Sequence, residues 1–124
     1  MSSFPEASPS FELSVERYDS VGTVVVSGEL DLATAPRLSA AVAKHGDAQP
    51  LVLDMTATTF IDSTGVRTLL QADRRSVGSG SRLVVVAGEG AVRRVLDLCG
   101  LEGRLTLVSE HPSPAARRRA LPDG

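Results

Sequence analysis

The sequence predicts a single α/β domain with a mixed, mostly parallel sheet flanked by helices. Three observations lead there. Two stretches of strand periodicity, joined by a short turn, open the patterned part of the chain. Short apolar runs then alternate with stretches whose apolar residues recur three or four positions apart. Breaker residues separate these stretches, and no linker is long enough to divide the 124 residues. Strand–helix–strand units with right-handed crossovers give a parallel sheet, and the opening hairpin gives it a mixed edge.

Residues 1–10, rich in serine and carrying Pro5 and Pro9, are expected to form a flexible tail. Phe11, Leu13 and Val15 alternate with Glu12, Ser14 and Glu16, the period of a half-exposed strand. A turn over 18–22 follows, with Asp19 and Gly22 as breakers. Residues 23–27 are β-branched and apolar at their centre and read as the hairpin partner, closed by Gly28-Glu29-Leu30-Asp31. Thr34 is expected to cap a first helix, with Pro36 tolerated in its opening turn. Its buried face would be Leu38, Ala41 and Val42, and Gly46 would end it.

Pro50 introduces a buried strand over 51–53, followed by a polar loop over 54–59. Phe60 and Ile61 are expected to pin the chain back onto the core. From Val66 the apolar positions Val66, Leu69, Leu70 and Val77 fall at helical spacing. Residues 78–81 break that helix. Leu83-Val84-Val85-Val86 reads as a strand buried on both faces. A third helix covers 91–99, with Val92, Val95, Leu96 and Cys99 on one stripe and Gly100 as its stop. Residues 105–108 make a last strand. Residues 110–124, with three prolines and Arg117-Arg118-Arg119, are expected to be a frayed tail or one short helix.

Composition narrows the function classes. Apolar residues make up 42% and charged residues 23%, ordinary values for a soluble globular protein. A net charge of −2 supplies no basic field for nucleic acid or anionic lipid. The lone Cys99 excludes an internal disulfide and fits a reducing compartment. No window of 18 apolar residues appears and the N-terminus lacks a signal pattern, so the reading is a cytoplasmic protein.

Asp62 and Ser63 stand where a strand-derived segment becomes a helix, among N–H groups that have no partner within the helix. Either side chain can act as the N-cap, contributing about 0.5–2 kcal/mol. The Ser63 hydroxyl is also a candidate phosphorylation site, because helix N-termini accept phosphate readily. The two roles are compatible.

Enzyme chemistry finds little support. Ser63 lacks the Gly-x-Ser-x-Gly elbow of serine hydrolases, and its base would have to be His45 or His111. Asp62-Ser63-Thr64-Gly65 has one residue too many for an aspartic protease motif. Cys99 has no neighbours at metal-ligand spacing and reads as a small core residue. Gly88-Glu89-Gly90 lacks a complete phosphate-loop pattern and reads as turn chemistry. Arg93-Arg94 and residues 117–119 read as solvated charge. No cofactor is expected.

Gly28-Glu29-Leu30-Asp31, Leu51-Val52-Leu53-Asp54 and Phe60-Ile61-Asp62-Ser63-Thr64-Gly65 together resemble the anti-sigma factor antagonist family, the STAS domain. Val95-Leu96-Asp97-Leu98-Cys99-Gly100-Leu101 resembles the helix end and Gly-Leu before that family's last strand. The resemblance covers residues 11–109, with 1–10 and 110–124 as flanking tails. Asp-Ser-Thr-Gly alone is a weak tetrapeptide; its position after a Phe-Ile step, with Gly-Glu-Leu-Asp upstream, makes it specific.

The resemblance implies a partner switch. The unphosphorylated antagonist binds an anti-sigma factor that is also a serine kinase, and so frees the sigma factor. The kinase uses ATP to phosphorylate the serine directly after the motif Asp, here Ser63, and a PP2C-type phosphatase resets it. Asp31 matches a family acidic residue close to that serine. The implied partner-binding set is Asp31, Asp62, Ser63, Thr64 and Gly65, with no direct contact to nucleic acid or membrane. Replacing Asp31 is expected to act on phosphorylation or binding with little loss of stability. The alternative is a non-phosphorylated STAS scaffold or adaptor, stressosome-like or transporter-associated; many such relatives lack the Asp-Ser pair.

Overall fold

Side chains alternate across a strand, so a strand with apolar residues at consecutive positions needs cover on both faces. The computed structural model, which describes residues 11–18, 21–45 and 50–120, shows how that cover is supplied. Its elements are β1 (Phe11–Tyr18), β2 (Val21–Leu30), α1 (Ala35–His45), β3 (Leu51–Ile61), α2 (Ser63–Gly78), β4 (Leu83–Val86), α3 (Ala91–Leu98), β5 (Thr106–Val108) and α4 (Pro114–Ala120). A short 3₁₀ turn, Leu101–Gly103, precedes β5. The residues expected as the N-terminal tail, the centre of the hairpin turn and Gly46 lie outside the described residues.

The strands stand in chain order, β1-β2-β3-β4-β5. β1 and β2 pair antiparallel, and the remaining three pairings are parallel. With every crossover of the same hand and every step in the same direction, α1, α2 and α3 must fall on one face. The main core lies there. Leu38 and Val42 of α1, Leu69 and Ala72 of α2, and Val92 and Leu96 of α3 pack on Val24, Val26, Leu51, Leu53, Leu83 and Val85. The alternate residues Val52, Val84 and Val86 form a second buried cluster on the opposite face, with Val21 and Val108 beside it.

The polar stretch 54–59, expected as a loop, continues β3 instead. β2 runs on beside it to Leu30 and supplies the hydrogen bonds that the polar composition would otherwise leave to water. Register shifts fall between Val25 and Ser27 and between Gly28 and Glu29, and Gly28 carries a φ of 92° at the second. These irregularities turn the period-two pattern into one in which Met55, Thr58 and Ile61 are buried, three apart. Thr58 enters the interior because its hydroxyl donates to the Val26 carbonyl at 2.8 Å. Phe60, expected to pin the chain to the core beside Ile61, is 48% exposed. Adjacent strand residues face opposite ways, and Ile61 holds the inward place.

Two helical stripes also differ from expectation. α2 buries Gly65, Thr68, Leu69, Ala72 and Ser76, and leaves Val77 65% exposed. The helix presents its small residues to the interior where it meets α1, with Thr68 satisfied by the Thr64 carbonyl at 2.9 Å. Cys99 is exposed rather than in the core, because α3 ends at Leu98 and Gly100, at φ 72°, turns the chain away. Of the two expectations for the C-terminal segment, the short helix is the one observed, and His111, Ser113 and Ala116 on it and before it are buried.

The α3 stripe gives a direct test by urea denaturation. Leu96→Ala, in a side chain with no exposed surface, should lower stability by about 2–5 kcal/mol. Leu98→Ala, at a residue 82% exposed, should change it by no more than about 0.5 kcal/mol.

Candidate functional site at the ends of β2 and β3

β2 and β3 run parallel and finish level, with Leu30 opposite Ile61. The next residue on each strand is an aspartate, Asp31 and Asp62. The Asp62 N–H donates to the Leu30 carbonyl at 3.2 Å, extending the pairing by one step before the chain turns into α2.

Of the two cap candidates, Asp62 takes the role. Its backbone is extended, at φ −110° and ψ −173°, and its Oδ1 accepts the Gly65 N–H at 3.0 Å. Its carbonyl accepts the Val66 N–H at 3.0 Å and so opens the helical ladder. Ser63 is therefore the first helical residue. It is exposed, and its hydroxyl has no hydrogen bond among the described residues. The first-turn N–H groups of Ser63 and Thr64 have no acceptor within the helix, so the hydroxyl sits at a local positive end. Thr64 is half-buried.

Gly65 is buried, and its contribution is close approach. A Cβ there would stand 2.7 Å from Ile61 Cγ1 and 2.9 Å from the Leu30 carbonyl oxygen. Only a residue without a side chain lets the first turn of α2 rest on the strand ends. Its φ is unremarkable for a helix; the demand is space alone.

Asp31 performs a second capping role. Its Oδ1 accepts from the N–H groups of Ala33 at 3.0 Å and Thr34 at 3.1 Å. The Asp31 N–H in turn donates to Thr34 Oγ1 at 2.9 Å, and that hydroxyl donates to the Glu29 carbonyl at 2.8 Å. This is the reciprocal geometry of a capping box. Thr34 does stand immediately before α1, and the Asp31 carboxylate satisfies the N–H groups of the turn that leads into the helix. These bonds give Asp31 a structural role beside the one expected of it, so its replacement is also a test of stability.

Two apolar side chains beside these aspartates were not read as site residues. Leu32, in the turn after Asp31, is 74% exposed, and Phe60 projects opposite Glu29. No ion pair engages Glu29, Asp31 or Asp62 among the described residues. The patch therefore combines uncompensated carboxylates with exposed apolar surface. The sequence signal for Phe60 was available: it is adjacent to Ile61, and only one of two consecutive strand residues can face the helices.

Neither histidine reaches Ser63. His111 is bonded to Thr23, seven residues before Leu30 and so about 23 Å back along β2. His45 ends α1, ten residues beyond Ala35 and about 15 Å along its axis. A Ser–His pair is thus not assembled here. Among the described residues there is no cluster of three or more His, Cys, Asp or Glu able to hold a metal ion. Gly88, at φ 67°, turns the chain between β4 and α3, and Arg93 beside it pairs with Asp97 at 3.1 Å. No helix among the described residues is long and apolar enough to cross a membrane.

A five-stranded mixed sheet with three helices on one face, and an aspartate-capped helix opening on Ser-Thr-Gly with its serine exposed, define the class: the chain belongs to the STAS-domain family, whose model matches residues 12–113. Its relatives are anti-sigma factor antagonists. Anti-sigma-F factor antagonist RsfB of Mycobacterium tuberculosis is 31% identical over 105 residues, covering 83% of this chain and 85% of that protein. The crystal structure of an anti-sigma factor antagonist from Mycobacterium paratuberculosis superposes with a TM-score of 0.72 at 33% identity, covering 92% of this chain and 96% of that one. The anti-sigma factor antagonist SpoIIAA in its unphosphorylated form shares the fold, with a TM-score of 0.70 at 19% identity, covering 90% and 100%.

Substitutions at this end separate packing from capping. Gly65→Ala should destabilise the protein by about 1–3 kcal/mol, since backbone and Ile61 must both give way. Asp31→Ala should cost about 0.5–2 kcal/mol through the lost cap. Chemical denaturation of each variant, followed by circular dichroism, measures both.

Proposed function

We propose that this protein is an anti-sigma factor antagonist that acts in the cytoplasm as a phosphorylation-controlled binding switch. Unphosphorylated, it binds an anti-sigma factor that is also a serine kinase, and the sigma factor is released. Phosphorylation of Ser63 ends the binding, and a PP2C-type phosphatase restores it. The observation that carries this reading is the division of labour at the start of α2. Asp62 does the capping, so the adjacent Ser63 hydroxyl is exposed and uncommitted. It can gain a phosphate without losing a bond the fold needs.

The energetics favour a change in binding over a change in shape. A phosphoserine adds about −1.5 to −2 charges and three acceptor oxygens. The dipole and free N–H groups of α2 offset part of that charge, by about 0.3–1 kcal/mol and up to ~2 in partly buried geometries. Asp31 and Asp62 oppose it. A docked partner must desolvate the added charge, and each ~1.4 kcal/mol lost weakens binding tenfold. A penalty of about 3–4 kcal/mol would therefore convert tight binding into release. In this reading Asp31, Asp62, Ser63 and Thr64 border the partner, Gly65 holds the helix in place beneath them, and Leu32 and Phe60 supply apolar contact.

Incubation with the cognate kinase and ATP should add one phosphate, mapped to Ser63 by mass spectrometry and absent in Ser63→Ala. Absence of any phosphate on the wild-type chain would favour the scaffold or adaptor alternative. Ser63→Ala should hold the anti-sigma factor as tightly as the unmodified protein, whereas Ser63→Asp should bind more weakly. Isothermal titration of Leu32→Ser and Phe60→Ser against the same partner should show about tenfold weaker binding each, with Leu98→Ser unchanged.

A further inference from the structure

The segment from Glu110 through α4 lies across the sheet face that α1–α3 leave open, and one histidine holds it there. His111 is buried. Its Nδ1 accepts the Ser113 N–H at 2.9 Å, and its Nε2 lies 2.8 Å from Thr23 Oγ1 on β2. A ring nitrogen that accepts a backbone N–H cannot carry a proton, so the neutral ring bears its hydrogen on Nε2 and donates it to Thr23. The ring meets Tyr18 of β1 edge-on, with centroids 5.5 Å apart and planes at 73°. The His111 carbonyl accepts Arg117 Nη1 at 2.7 Å, which ties the start of the segment to α4. A cleft of about 250 Å³ lined by Asp54, Val86, His111, Ala116 and Arg117 runs alongside the ring.

We propose that His111 is an acid-releasable clamp: a second proton on its ring undocks residues 110–120 and opens the cleft they form beside Asp54 and Val86. The reason is geometric. Protonated Nδ1 would point N–H at the Ser113 N–H, two donors facing each other where a hydrogen bond had been. The ring must leave that contact to be solvated as a cation, and Ser113 and Ala116, both buried, leave with it.

The charged and titratable groups around the ring come from three elements. β1 presents Tyr18, whose hydroxyl donates to Glu16. β3 presents Asp54, whose Oδ1 accepts from Thr56 N–H and Oγ1. The C-terminal segment itself presents Glu110 and Arg117. β2 and β4 contribute only the neutral Thr23 and Val86. Burial is the largest influence and pushes the imidazole below its ordinary 6.5; Asp54 pulls it up and Arg117 pushes it down, leaving a net lowering. A pKa lowered by docking means that docking is fully favoured above about pH 6.5 and is lost as pH falls toward the docked ring's own value. Across that interval the opening constant rises by up to about tenfold per pH unit. Thr23 lies about 23 Å along β2 from the Ser63 end, so the clamp does not depend on the switch proposed above.

Amide hydrogen exchange on the full chain, combined with imidazole ¹⁵N spectra, tests the clamp. At pH 7.5 the His111 ring should show the Nε2–H tautomer. Between pH 7.5 and 5.5, after correction for intrinsic exchange, the amides of residues 115–118 should open about threefold to tenfold more often. The amides of Leu53 and Val85 should stay protected. His111→Gln, which stays neutral and can still both accept and donate, should abolish the acid response. The proposal is overturned if the ring stays neutral to pH 5, if it charges without opening α4, or if His111→Gln opens equally on acidification.

Discussion

Two parallel strands end level with each other, and the candidate site of the molecule depends on that alignment. Leu30 faces Ile61, the Asp62 N–H reaches the Leu30 carbonyl, and Gly65 brings the first turn of α2 against both. If either strand were one residue longer, the two aspartates would no longer be neighbours and the helix would start elsewhere. The register irregularities near Val25 and Gly28 keep the strands in step to the end, although β3 carries extra residues there. An apparently local motif thus rests on the pairing of Leu30 with Ile61, far apart in the chain.

At this end the side chains that bond backbone N–H groups and the one with an exposed hydroxyl are different residues. Asp62 caps α2 through the Gly65 N–H, and Asp31 holds the N–H groups of the turn leading into α1. Ser63, between the Asp62 cap and the close-packed Gly65, carries no structural bond among the described residues. The start of α2 therefore does not rely on the Ser63 hydroxyl. Both acidic side chains spend their hydrogen bonds on backbone N–H groups and leave the Ser63 hydroxyl outside them.

The opposite face follows a different logic. Right-handed crossovers in chain order leave it without any of the first three helices, yet its valines are fully or nearly buried. The C-terminal segment reaches this face through polar contacts: Thr23 to His111, Ser113 to His111, Arg117 to the His111 carbonyl. A short helix held by hydrogen bonds of a titratable ring responds to solvent conditions in a way that the main core does not. The two faces of one sheet therefore differ in what can loosen them.

Periodicity alone revealed the α/β class, the hairpin, the three crossover helices and the doubly buried Leu83–Val86, because these features are written in local apolar spacing. The Asp62-Ser63 helix start was equally legible, since capping chemistry is confined to a few adjacent residues. The tertiary structure decided what spacing cannot encode. It made a strand of the polar 54–59 stretch because β2 lay beside it to take its hydrogen bonds. It turned Phe60 and Cys99 outward, exposed Val77, and set the Asp31 carboxylate on the turn before α1. It also drew His111 from an expected tail into a buried contact with Thr23, 88 residues earlier in the chain. Local chemistry names which groups are available; only the folded sheet determines which of them meet.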